Sequence, residues 1–162
     1  MARLISGHNK KVIDSGKLIS EQGCNCRVPG NCVLNGKCLT SDLVYKNTLQ
    51  TAKTTKEYIG LTSTSFKQRF TAHKSSFKNQ SKAHSTSLST YVWNLTNKGI
   101  PYTSTWSILG LAPSYGQKVR TCQLCLMEKT YISLADPSKT LNIRNEIVSK
   151  CRHQDKMLLK HW

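Results

Sequence analysis

Among the residues suited to chemistry, seven cysteines and eight acids are the most informative by spacing in this 162-residue chain. Cys24, Cys26, Cys32 and Cys38 follow C-x-C-x5-C-x5-C, separated by Gly, Pro and Asn turns. Four thiolates on such a short, turn-rich stretch suit a tetrahedral structural zinc site; the alternative is four free thiols on a loop. Cys122 and Cys125 stand one turn apart at the start of an expected helix. Cys151 with His153 would complete a zinc site of three cysteines and one histidine across the core. The alternative there is that Cys125 is an ordinary buried residue beside Leu124 and Leu126. Neither set reads as catalytic, because four protein ligands leave no position for water. An odd number of cysteines argues against a closed disulfide framework in a secreted protein.

The acids are Asp14, Glu21, Asp42, Glu57, Glu128, Asp136, Glu146 and Asp155, so Glu128 stands alone between Glu57 and Asp136. A carboxylate pair or a two-metal cage would have to be assembled from distant singletons. One carboxylate can hold one Mg²⁺ that keeps most of its waters. Arg69 and His73 are four apart, which puts both on one face of a helix, and an arginine suits a bidentate grip on phosphate. Tyr45 and Tyr58 fall on paired strands, where both phenols could face one cleft.

These residues need elements to hold them. Residues 42–49 and 56–61 read as a strand hairpin closed by QTAKTT. A helix is expected over about 64–78, capped by Ser63 or Thr64, with Phe66, Phe70 and Phe77 at helical spacing. A second helix over 87–99 carries Leu88, Val92 and Leu95 on one face and stops at Gly99. Residues 102–112 read as a third strand, 121–134 as a third helix, and 141–162 as a last helical piece beyond the Asp136-Pro137 break. The order ββααβαα predicts an α+β domain, a small antiparallel sheet of about three strands flanked by helices. Residues 1–41 form a basic arm, with a short helix as its other reading, followed by the four-cysteine segment. Residues 42–162 form the main domain with the second sulfur cluster.

Lysine and arginine total 24 against those eight acids, a formal charge of +16. That field predicts a polyanionic partner, most simply nucleic acid, with an anionic membrane the weaker option and a merely soluble basic surface the bland one. Lys67, Lys74, Lys78 and Lys82, on or just after the first helix, are the candidate DNA contacts. No apolar stretch of signal-peptide or membrane-span length is visible, so we expect an intracellular chain acting in the nucleus, without a membrane partner.

Leu43-Val44-Tyr45, Tyr58-Ile59-Gly60, Arg69-Phe70-Thr71-Ala72-His73, Glu128 and Leu141-Asn142 together resemble the GIY-YIG endonuclease superfamily over roughly residues 42–146. The first motif keeps only its tyrosine. The flanking cysteines and the run C-x-x-C-L-x-E-K…L-N-x-R-x-E…C-R-H resemble the endonuclease domain of Penelope-like retroelements, where it accompanies a reverse transcriptase. The resemblance implies one-metal hydrolysis of a DNA phosphodiester, nicking target DNA for insertion. Glu128 would bind Mg²⁺ (or Mn²⁺) and Arg69 would neutralise the scissile phosphate. Tyr45 would be the general base, its phenol lowered by surrounding positive charge. Tyr58 and His73 would hydrogen-bond the nucleophile or phosphate, and Asn142, with Asn145 as the other choice, would fix the phosphate or the Glu128 side. The competing expectation is a zinc-stabilised nucleic-acid-binding module without catalysis. On that reading the tyrosines are packing residues, Glu128 pairs with Lys129 or Lys118, and Asn142 caps a helix.

Overall fold

The computed structural model describes residues 23–113, 122–143 and 150–153. The arm at 1–22 and most of the 113–118 loop lie outside the described residues. Two strands come first, β1 (Leu43–Gln50) and β2 (Thr55–Thr62), then helices α1 (Phe66–Lys78) and α2 (Ser87–Asn97), strand β3 (Thr103–Leu111) and helix α3 (Gln123–Leu134). The fold is α+β, a three-stranded antiparallel sheet in the order β2-β1-β3. Among the described residues, no helix is long and apolar enough to cross a membrane.

Alternation along β1 divides the core in two. Leu43, Tyr45 and Leu49 turn to one side, where they join Tyr58, Phe66, Leu88 and Val92 beneath α1 and α2. Val44 turns to the other side and packs with Ile59 and Leu61 against Leu124, Cys125 and Ile132 of α3. The register between β1 and β3 slips by one residue. Val44 faces Gly110 but Tyr45 faces Ile108, which leaves Leu109 as a bulge, and Leu109 packs on the α3 side.

The helix boundaries follow local chemistry. Ser65, rather than Ser63 or Thr64, caps α1 by accepting from the Gln68 amide. Further orphan amides of that first turn are taken by the cysteine segment: Phe66 N donates to Thr40 O at 2.9 Å and Lys67 N to Cys38 O at 2.7 Å. The four-cysteine segment is therefore docked on α1, with Leu34 buried in the α1-side core. Thr86 and Ser89 form a reciprocal capping box on α2. Beyond its end, Gly99 turns the chain with φ +64°.

The expected C-terminal helix is absent from residues 141–143 and 150–153. Its other residues lie outside the described set. Asp136 starts a turn, its Oδ1 accepting from Ser138 N at 2.9 Å. The chain then runs extended along the outside of β2. Glu57 N donates to Lys139 O (2.9 Å), and Leu141 N donates to Glu57 O (2.7 Å). An edge strand offers unpaired amides and carbonyls, and satisfying them outweighs starting a helix here.

Candidate active site

The strand pair fixes the two tyrosines. Tyr45 lies directly opposite Gly60, and Tyr58 lies opposite Asn47. Gly60 is required by Tyr45. A Cβ on residue 60 would sit 2.5 Å from the Tyr45 Oη and 2.7 Å from its Cζ, so the phenol crosses the strand where no side chain stands.

Arg69 and His73 reach down from α1 onto that phenol. Arg69 Nε donates to Tyr45 Oη at 2.9 Å, and His73 Nε2 lies 2.7 Å from the same oxygen. Tyr45 is fully buried and His73 nearly so. His73 is ringed by Tyr45, Tyr58, Phe77 and Trp106 at centroid distances of 5.3–6.1 Å. The hydrogen-bond logic assigns the protons. Arg69 can only donate, so the phenol oxygen accepts from it. The phenol's own proton then points at His73 Nε2, making His73 the neutral Nδ1–H tautomer.

Electrostatics agree with a neutral His73: burial and then the Arg69 charge push its pKa down to about 3. The expected lowering of the Tyr45 phenol does not occur. Burial raises it, Tyr58 adds to that, and the Arg69 charge offsets only part. Tyr58 is raised in the same way. His73 is therefore bonded to Tyr45 through Nε2 while its residue also lines a cavity beside Arg69.

Glu128 comes from α3, which packs on β2 and β1. Its side chain is 2% exposed, and its charge is felt by both Tyr45 and Tyr58. Burial raises its pKa, and the charges of Arg152, Lys129 and Arg69 partly offset that. Arg152 Nη2 lies 3.4 Å from Glu128 Oε1. Lys129, the expected partner, is buried nearby without a bond to it, and Lys118 lies outside the described residues.

Asn142 is tied to β2. Its Oδ1 accepts from Ile59 N at 2.9 Å and its Nδ2 donates to Ile59 O at 2.8 Å, so the amide acts as one more ladder residue beside the Tyr58-Ile59-Gly60 motif. The segment that Asn142 would cap, 144–149, lies outside the described residues. Asn145 lies outside the described residues. Lys67 is turned to the cysteine segment, donating to Asn25 Oδ1 at 2.6 Å. Lys74, Lys78 and Lys82 are exposed. Lys74 stands over the Phe70 ring, and Lys82 shares a cavity of about 270 Å³ with Arg69, His73, Ser76, Ser85 and Thr86. That cavity is the open approach to Arg69.

The sulfur atoms converge as two groups. Cys24, Cys26, Cys32 and Cys38 place their ligand atoms within 4.8 Å of one another, and so do Cys122, Cys125, Cys151 and His153. Both groups could hold a metal ion. Tetrahedral Zn–S bonds of about 2.3 Å separate the sulfurs by about 3.8 Å. Cys26 to Cys38 is 3.7 Å, Cys24 to Cys38 is 3.5 Å, and Cys125 to Cys151 is 3.7 Å. His153 turns Nδ1 to Cys122 and Cys125 at 3.3 and 3.2 Å. Amides support the sulfurs as they support metal thiolates: Cys26 N faces Cys24 Sγ and His153 N faces Cys151 Sγ. Burial opposes ionisation of Cys32, yet the Leu34 and Gly36 amides bring it down to about 6.

Two residues escaped the sequence reading. Asn47 is fully buried, donates to Ser104 Oγ and Thr105 O, and keeps an Oδ1 with no partner among the described residues. Its signal was a polar residue at an inward position of β1. Arg152 announced itself only by standing between two metal-type ligands. No protein-family model matches the chain, and neither curated proteins nor solved structures give a match.

Proposed function

We propose that the chain is a divalent-cation-dependent DNA endonuclease of the GIY-YIG kind, related to the endonuclease domain of Penelope-like retroelements. The observation that carries this reading is the convergence of Arg69 Nε and His73 Nε2 on one buried phenol oxygen, with a lone buried carboxylate in electrostatic reach. A packing tyrosine has no need of an arginine and a neutral histidine on the same atom. The single hard-oxygen donor suits Mg²⁺ or Mn²⁺ retaining water, and does not suit a two-metal cage. Bound at Glu128, the cation would supply Lewis-acid stabilisation of the charge developing on the phosphodiester.

The chain's own residues supply the rest. Arg69 lines the open cavity and offers its charge to the scissile phosphate while its Nε holds Tyr45. The attacking water passes a proton to Tyr45 Oη as Tyr45 passes its own to His73 Nε2. This relay avoids a free phenolate, which burial disfavours. Negative charge arriving with the phosphate offsets the cost of a charged His73 beside Arg69. Lys82, Lys78 and Lys74 supply backbone attraction on the approach side. Both sulfur groups hold structural zinc on this reading, and a reverse transcriptase on the same polyprotein or in trans is the natural partner.

The test is nicking of supercoiled plasmid with Mg²⁺ or Mn²⁺, alongside metal content by mass spectrometry. Wild type should nick, Glu128→Gln should not, and Arg69→Ala should nick about 10²–10³ more slowly. Salt-sensitive DNA binding with an intact plasmid would instead identify a zinc-stabilised binding module.

A further inference from the structure

Arg152 has no place in the mechanism above, yet it is the only ion-pair partner of Glu128 among the described residues. The pair is asymmetric. The Glu128 side chain is 2% exposed and the Arg152 side chain 53% exposed. One guanidinium nitrogen, Nη2, lies 3.4 Å from Glu128 Oε1, while about half of the Arg152 side chain stays in solvent. Its position is imposed by the chain around it. Cys151 and His153 flank it, and their ligand atoms converge with those of Cys122 and Cys125. Cys125 stands one turn before Glu128 on α3. The second sulfur group thus ties together the two segments that supply the two halves of the pair.

We propose that Arg152 is a displaceable counter-ion of Glu128, set there by the Cys122/Cys125/Cys151/His153 group, and that it yields the carboxylate to the incoming divalent cation. The proposal rests on the reading of Glu128 as the cation ligand. A guanidinium and a divalent cation held at one buried carboxylate repel each other, so each weakens the other's hold. The ion pair is long, at 3.4 Å, and half in solvent, which suits exchange better than permanent locking. Arg152 is a positioning residue, acting through Glu128.

The experiment is Mn²⁺ binding to the zinc-loaded protein, followed by electron paramagnetic resonance, with plasmid nicking measured in parallel. Arg152→Gln should bind Mn²⁺ about fivefold more tightly than wild type, with Arg152→Lys between them. The Mn²⁺ needed for half-maximal nicking should fall in step. Glu128→Gln should abolish the site. Structural damage weakens a site, so a gain in affinity separates competition from misfolding. Unchanged or weaker Mn²⁺ binding in Arg152→Gln overturns the proposal, even if the wild type nicks DNA. Tighter binding in Arg152→Gln, with no nicking by any form, keeps the counter-ion and removes the nuclease.

Discussion

The two sulfur groups prop different halves of the candidate site, and they do so by different means. The first is drawn from one continuous stretch, Cys24 to Cys38, and meets the site through the start of α1, where Cys38 O accepts from Lys67 N, and through Leu34 in the core around Tyr45. Beyond that junction lie Arg69, His73 and Tyr45, the half to which the proposed function gives the proton transfer. The second is gathered from α3 and a segment some way along the chain. It flanks Glu128 and Arg152 directly, the half to which the proposed function gives the divalent cation. A local cluster can fail and leave its helix in place, because Ser65 and the phenylalanines of α1 still hold it. A long-range cluster that fails releases the segment it was holding. Proximity in sequence therefore sets how far the damage travels.

The sharpest way to break this comparison is Cys125→Ser. Structural zinc in finger peptides contributes about 10–16 kcal/mol, comparable to the whole stability of a domain. The variant should lose one zinc by mass spectrometry, nicking by more than about a hundredfold, and cooperative unfolding. Retained nicking with that zinc gone would separate the cluster from the cation half. Next is Arg69→Ala, expected to cut single-turnover nicking by about 10²–10³ while both zinc ions remain. Cys26→Ser should remove the other zinc and reduce nicking by less than about tenfold, since α1 keeps its own cap and core contacts. A loss as deep as that of Cys125→Ser would erase the distinction.

The smallest effects concern protons. With saturating cation, nicking should stay flat between about pH 6 and 9 if the proposed relay operates, because it would use a protonated Tyr45 and a neutral His73 throughout. A tenfold rise per pH unit would assign the work to free phenolate. His73 has its pKa depressed to about 3 by burial and Arg69. The unfolded chain therefore binds this proton first as pH falls. The stability contributed by neutral His73 is present above the ordinary histidine range and is lost between about pH 6.5 and 3. Denaturation at pH 7 and 4.5 should show a shallower loss for His73→Gln than for wild type.

Most of the architecture could be read from the sequence because its signals are local. The strand hairpin, the two amphipathic helices and the third strand appear within a residue or two of their expected bounds. Alternation and capping act over a few positions. The tail could not be read that way. Residues 141–143 look helix-compatible in isolation and become extended because β2 presents an open edge, a fact belonging to another part of the chain. The same limit applies to the site. Arg69 and His73 were legible as a helix-face pair, and their meeting with Tyr45 follows from adjacent elements. Arg152 on Glu128, and Asn142 on Ile59, are contacts between segments far apart in sequence. Tyr45 shows a different limit. Its type and place could be read, but its burial, which reverses the expected shift, depends on how Phe66 and Trp106 close over it.

The amide of Asn142 carries one further consequence. A three-stranded sheet has two rims at which a foreign chain can join. On the β2 rim, Asn142 and residues 139–141 occupy the hydrogen-bonding groups of Glu57 and Ile59. Intermolecular strand addition and fibril growth are thereby discouraged on that side. The opposite rim, β3, carries the exposed residues Thr103, Ser104, Thr105 and Ser107 in place of an apolar row. Asn142 is in this sense a solubility residue as much as a fold residue, and its loss would be felt first in the storage tube.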